Sequence, residues 1–175
     1  MNKGAFPKCA RMTKILFLCH GNICRSPMAE FVMKDMALKA GFSVQGSDGE
    51  TACFQIASAA TTTEEIGHGI YPPALRTLKA HGIGTPDNEL GVSRKRARLM
   101  TREDYAHYDM IIGMDEENMR DMMRFYKNDP DGKLFMLMDF AGKHREVADP
   151  WYTRDFEATW QDVCEGCSAL LQKLT

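Results

Sequence analysis

Apolar residues in this chain follow two spacings that alternate along its length. Four short dense runs have the length of buried strands: Lys14–Leu18, 54–58 around Ile56, Tyr108–Met114 and Lys133–Met138. Between and after them, apolar positions recur at helical spacing over 27–40, 72–81, 101–106, 115–126 and 153–173. The first helical segment has Pro27 near its first turn and Gly41 just past its end. The last carries Phe156, Trp160, Val163, Cys167, Leu170 and Leu171 on one face, which must be covered. Strand–helix alternation predicts an α/β fold: three layers, with a central four-stranded parallel sheet and helices on both faces. Such sheets bind ligands at the carboxyl ends of their strands. Cys19 stands at that end of the first strand.

Composition narrows the class. The chain has 175 residues, 44% apolar and 26% charged, which suits one domain with a substantial core. Met12 resembles a natural start, so 12–175 is read as the domain and 1–11 as a disordered extension. A net charge of −2 argues against nucleic-acid and membrane-surface partners. No apolar run approaches the roughly 20 residues of a membrane span, and the amino terminus lacks a signal-peptide core. The six cysteines, at 9, 19, 24, 53, 164 and 167, are too few for a disulfide framework and fit a reducing compartment. Together these features predict a cytoplasmic protein. The thirteen methionines read as core fillers.

The chemistry concentrates in Cys19-His20-Gly21-Asn22-Ile23-Cys24-Arg25-Ser26, between the first strand and the first helix. A free thiol has a pKa of about 8.5; loop N–H groups, a helix N-terminus and the Arg25 guanidinium all favour its thiolate. The same groups suit a tetrahedral dianion such as phosphate, so this is a phosphate-binding loop with a nucleophile in it. Gly21 allows close approach of the backbone, and Asn22 tolerates a left-handed conformation. Ser26 can donate a hydrogen bond to the Cys19 sulfur. Attack on phosphorus also needs an acid for the departing oxygen. Asp149 is the candidate: Pro150 biases it to an extended loop, and Trp151 and Tyr152 can wall an aromatic substrate. A zinc site built from Cys19, His20, Cys24, Cys164 and Cys167 is the competing use of these cysteines. It is disfavoured because Cys164 and Cys167 lie within an apolar helix face, so no metal is expected.

These residues together resemble the low-molecular-weight protein tyrosine phosphatases. The family pattern Cys-x-Gly-Asn-x-Cys-Arg-Ser is met at Cys19, Gly21, Asn22, Cys24, Arg25 and Ser26, and its late Asp-Pro with aromatics at Asp149-Pro150-Trp151-Tyr152. The likeness runs from about Met12 to the end. It includes 57–59, 113–116 and the Cys-x-x-Cys of the last helix. It implies that Cys19 forms a phosphocysteine while Arg25 and the loop from His20 to Ser26 hold the phosphoryl oxygens. It implies that Asp149 protonates the leaving phenol oxygen and then activates water. It implies that Asn22 and Ser58 brace the loop, and that no cofactor is needed. Under peroxide, Cys24 is implied to form a disulfide with Cys19 and guard it from over-oxidation. The expected partner is a phosphotyrosine protein, and the expected state a monomer with weak dimerisation left open.

The sequence also departs from the family. A rim position that is often aromatic falls on Glu64 or Glu65, which would favour basic peptides over acidic ones, unless it is simply a solvated helix start. No histidine precedes Ala97-Arg98; Arg94-Lys95-Arg96 stands there and reads as a solvated basic face. The 84–92 loop looks long. Other chemistries compete on the same fold. Arsenate reduction needs a cysteine pair well downstream, and none lies between Cys53 and Cys164. Arginine phosphatases usually have Thr where Ile23 stands, and Ile23 suits a flat phenyl ring. A phosphate-binding module without catalysis is disfavoured, since nucleophile, arginine and acid are all present.

Overall fold

The computed structural model describes residues 9–45 and 52–175. Its strands are β1 (Thr13–Cys19), β2 (Phe54–Ala60), β3 (Met110–Gly113) and β4 (Leu134–Met136). Its helices are α1 (Arg25–Lys39), α2 (Pro72–Ala80), α3 (Arg102–His107), α4 (Glu116–Phe125), α5 (Pro150–Thr153) and α6 (Phe156–Leu174). All strand pairs are parallel, in the order β2-β1-β3-β4. The expected three-layer sheet is therefore the fold.

Strand alternation divides the core. Ile15 and Phe17 of β1 face one apolar cluster, with Phe31 of α1, Leu78 of α2 and Val163 of α6. Leu16 and Leu18 face the other, with Ile111 of β3 and Met122 and Tyr126 in and beside α4. All four β1 side chains are fully buried, which explains why β1 reads as an unbroken apolar run.

The elements shift by up to three residues from the expected bounds, and two of the differences have a local cause. β4 ends after three residues and passes into a 3-10 turn, Leu137–Ala141. The expected helix over 153–173 begins at Phe156, after a break at Arg154, whose φ is 60°. Asp155 restarts it by accepting a hydrogen bond from the Ala158 N–H at 2.9 Å.

The cysteines also differ from the reduced set expected. Cys9 and Cys53 form a disulfide, while Cys19, Cys24, Cys164 and Cys167 are free. The cause is local. The Thr13 N–H donates to the Cys53 carbonyl at 2.8 Å, so the segment before β1 runs beside the start of β2. The Cα atoms of Cys9 and Cys53 then stand 5.3 Å apart, within disulfide reach. Arg11 pairs with Asp109. Of the expected 1–11 extension, residues 9–11 are thus tied to the domain, and 1–8 lie outside the described residues. Among the described residues, no helix is long and apolar enough to cross a membrane.

Candidate active site

The loop between β1 and α1 curls at Asn22, whose φ is 58°. Asn is among the few residues with a side chain that adopt this conformation readily. Asn22 is buried, and its amide is fully used. Nδ2 donates to Ser26 Oγ at 2.8 Å and Ser58 Oγ at 2.9 Å, while Oδ1 accepts from the Arg98 N–H at 3.3 Å. The segment after β2 grips the loop from its other side. The Thr61 N–H, Thr62 hydroxyl and Tyr71 N–H donate to the carbonyls of Cys19, His20 and Ile23 at 3.0, 2.9 and 2.9 Å. Among the described residues, the N–H groups of Gly21 to Cys24 meet no protein acceptor. Free donors in a curled loop at a helix N-terminus form an anion cradle. A Cβ on Gly21 would stand 3.1 Å from Glu65 Cγ, so glycine lets the rim close over the loop.

Cys19 lies at the floor, with its sulfur 3.0 Å from Ser26 Oγ and 3.4 Å from the Ser26 N–H. Arg25, 3% exposed, extends from the first residue of α1. One guanidinium nitrogen reaches Asp115 Oδ2 at 2.6 Å and the Val147 carbonyl at 3.1 Å; the other reaches Asp149 Oδ2 at 3.1 Å. Burial opposes the guanidinium charge. Cys19, Asp149 and Asp115 outweigh it and hold the Arg25 pKa above its usual value. Asp149 is extended, as its place before proline requires, and its Oδ1 accepts from the Trp151 N–H at 3.0 Å. Burial, followed by the charges of Cys19 and Asp149, pushes the Cys24 thiol far above its ordinary value.

Cys19, His20, Gly21, Ile23, Cys24, Arg25, Asp149, Trp151 and Tyr152 line one cleft. Trp151 is just under half exposed and Tyr152 mostly exposed, and Tyr71 supports the Trp151 ring at 5.6 Å between centroids. The expected site residues Asn22, Ser26 and Ser58 lie behind the loop, buried, and reach the cleft only through their hydrogen bonds. Glu64 and Glu65 stand on the rim, paired with His20 at 2.9 Å and His68 at 2.6 Å. Cys167 is packed in the core and donates to the Ala29 carbonyl at 3.7 Å.

Two site residues were not singled out from the sequence. Asp115 follows β3 and holds Arg25; a Cβ on Gly113 would stand 3.1 Å from Asn118 Cβ, a close approach that lets α4 begin beside the guanidinium. Glu30 of α1 accepts from the Ser58 hydroxyl at 2.5 Å. The expectation of a solvated 94–96 face fails at Lys95. Its side chain is 11% exposed and enters the same network, because Glu30 Oε2 and the Ser58 carbonyl offer it acceptors.

A parallel sheet with an anion-binding loop and a free cysteine at the end of β1 defines the class: an α/β protein built to hold an oxyanion beside a thiol. A sequence model described as low molecular weight phosphotyrosine protein phosphatase matches residues 14–175. Low molecular weight phosphotyrosine protein phosphatase 1 of Drosophila melanogaster is 33% identical over 165 residues, covering 91% of this chain and 96% of that protein. The crystal structure of SP-PTP, a low molecular weight protein tyrosine phosphatase from Streptococcus pyogenes, aligns with a TM-score of 0.75 at 36% identity, covering 94% of each chain. The structure of YfkJ from Bacillus subtilis aligns at 0.79 with 30% identity, covering 94% of this chain and 95% of that one. The chain belongs to the low molecular weight phosphotyrosine protein phosphatase family.

Proposed function

We propose that this enzyme hydrolyses phosphotyrosine in proteins through a phosphocysteine intermediate. The observation that supports this best is the meeting of Cys19, Arg25 and Asp149 in one cleft walled by Trp151 and Tyr152. Cys19 attacks phosphorus as a thiolate stabilised by Ser26, and the phenol oxygen leaves. Arg25 turns from its carboxylate partners to two phosphoryl oxygens, and the free loop N–H groups take the rest. Asp149 gives its proton to the leaving oxygen. It then accepts one from the water that hydrolyses the Cys19–phosphorus bond and releases phosphate. Trp151 and Ile23 offer apolar surface to the phenyl ring. The relatives named as phosphotyrosine phosphatases support the same substrate.

Turnover of aryl phosphates tests the reading. Cys19→Ser abolishes turnover and still binds phosphate. Asp149→Ala slows esters of poor leaving groups far more than those of good ones. Turnover retained by Cys19→Ser, or an equal loss across leaving groups in Asp149→Ala, overturns the corresponding role.

A further inference from the structure

The positive charge of the cleft lies at its floor and the negative charge at its rim. Among the described residues, Arg25 is the one lysine or arginine that lines the cleft, and it is 3% exposed. Glu64, Glu65 and Glu117 line the same cleft. General acidity of the chain does not explain this, since 22 lysines and arginines stand against 24 aspartates and glutamates.

The sheet order sets where these carboxylates stand. The loop from Cys19 to Ser26 follows β1, which lies between β2 and β3. Glu64 comes from the segment after β2, and Glu117 from the first turn of α4, after β3. The two therefore flank the anion cradle from opposite sides, and both are exposed. Glu117 has no ion pair or side-chain hydrogen bond among the described residues. Glu64 has only His20, at 2.9 Å, and Glu65 is turned toward His68 at 2.6 Å. On the Glu117 side the cleft runs on into a second hollow, which shares Glu117, Asp149 and Tyr152 with it and adds Glu116 and Glu146. Arg120, 3.9 Å from Glu116, offsets part of the charge there.

The cradle fixes the phosphoryl group, and so decides which residues of a substrate stand over the rim. An extended chain advances about 3.3–3.6 Å per residue, so these are the residues one or two places from the phosphorylated one. A dianion entering the cleft passes the rim carboxylates before it reaches Arg25 and the free loop N–H groups. A neighbouring cation cancels that repulsion and gains a carboxylate of its own; a neighbouring anion adds to the repulsion. Each exposed carboxylate is partly screened by water and salt, so its effect is a few-fold. Carboxylates on both sides of one ligand act together, on the encounter rate as well as on binding.

We propose that Glu64 and Glu117 are specificity-determining residues, which select phosphotyrosine segments carrying lysine or arginine on both sides of the phosphotyrosine. The proposal rests on the phosphotyrosine reading of the cleft and names the class of segment that it takes.

The test uses two phosphotyrosine peptides of equal length that differ only in their flanking residues, lysine in one and glutamate in the other. Their kcat/KM values are compared for wild type, Glu64→Gln, Glu117→Gln and the double variant. Wild type prefers the lysine peptide by about 30-fold at low ionic strength, and the preference falls to a few-fold in about 0.5 M salt. Each single variant reduces the ratio about three- to fivefold, and the double variant about tenfold. The lysine peptide slows and the glutamate peptide speeds up. A merely structural role would slow both peptides together and leave the ratio unmoved.

Equal rates for the two peptides in wild type overturn the proposal and leave the phosphotyrosine reading standing. So does a preference that neither salt nor the double variant reduces. The salt series needs no variant to fold. Turnover of neither peptide overturns the phosphotyrosine reading, and the proposal with it.

Discussion

Asp115 binds Arg25 with one carboxylate oxygen and caps helix α4 with the other. Its Oδ2 lies 2.6 Å from the guanidinium, and its Oδ1 accepts from the Asn118 N–H at 2.7 Å. One side chain therefore fixes both the start of α4 and the orientation of the arginine that faces the anion cradle. Asn118 returns the arrangement to the sheet by accepting from the Met114 N–H at 3.0 Å.

Asp115→Asn separates the two duties. Asparagine caps a helix as well as aspartate does, so the cap survives. The charge that balances the buried Arg25 is reduced, leaving the Cys19 and Asp149 charges and the Val147 carbonyl beside it. The expected result is a fall in kcat/KM of about 10- to 100-fold with thermal stability reduced only modestly. Steady-state kinetics and a melting curve check this. Unchanged kinetics would show that Asp149 alone orients Arg25.

The Cys9–Cys53 bond closes a loop of 44 residues in sequence separation. Chain-entropy arguments give about 4 kcal/mol for a loop of that size, with about 2–4 kcal/mol typical in practice. Cys9→Ser is the milder probe, because Cys53 is buried in the core and Cys9 is only partly so. The variant melts several degrees lower than the oxidised wild type and keeps its kcat, since the bond lies at the opposite end of β1 and β2 from Cys19. Wild type in a reducing agent reproduces the shift. Equal melting temperatures would show that the bond constrains the unfolded chain little.

The sequence made the centre of the site legible because its chemistry is local. Cys19, Asn22, Arg25 and Ser26 lie within eight positions of one strand–loop–helix turn. Pro150 restricts Asp149 whatever surrounds it. The sheet was legible for a similar reason, since β1 is buried on both faces and reads as one apolar run. What stayed hidden depends on distant contacts. A lysine within an Arg-Lys-Arg run reads as solvated, and only the fold brings Lys95 to Glu30, 65 positions earlier. A single aspartate after a strand carries no chemical signal in the sequence, and only the fold sets Asp115 beside α1. Cys9 meets Cys53 only because β1 and β2 start side by side.

Cys24 supplies the last prediction. Its thiol and Cys19 line the same cleft, and both are free. The predicted course is that peroxide oxidises the Cys19 thiolate to a sulfenic acid, releasing hydroxide, and that the Cys24 thiol then condenses with it, forming a disulfide and water. Burial keeps Cys24 protonated near neutral pH, and the charges of Cys19 and Asp149 add to that effect. The attacking thiolate is therefore scarce, and its fraction grows with pH. Two results follow. Wild type inactivated by peroxide recovers with dithiothreitol, and more completely when the oxidation is done at mildly alkaline pH. Cys24→Ser recovers poorly, because its sulfenic acid passes on to the sulfinic form. Mass spectrometry of the 19–25 peptide separates the products: two hydrogens lost in wild type, two oxygens gained in the variant. Full recovery of Cys24→Ser would remove the guarding role and leave Cys24 as a packing residue at the head of α1.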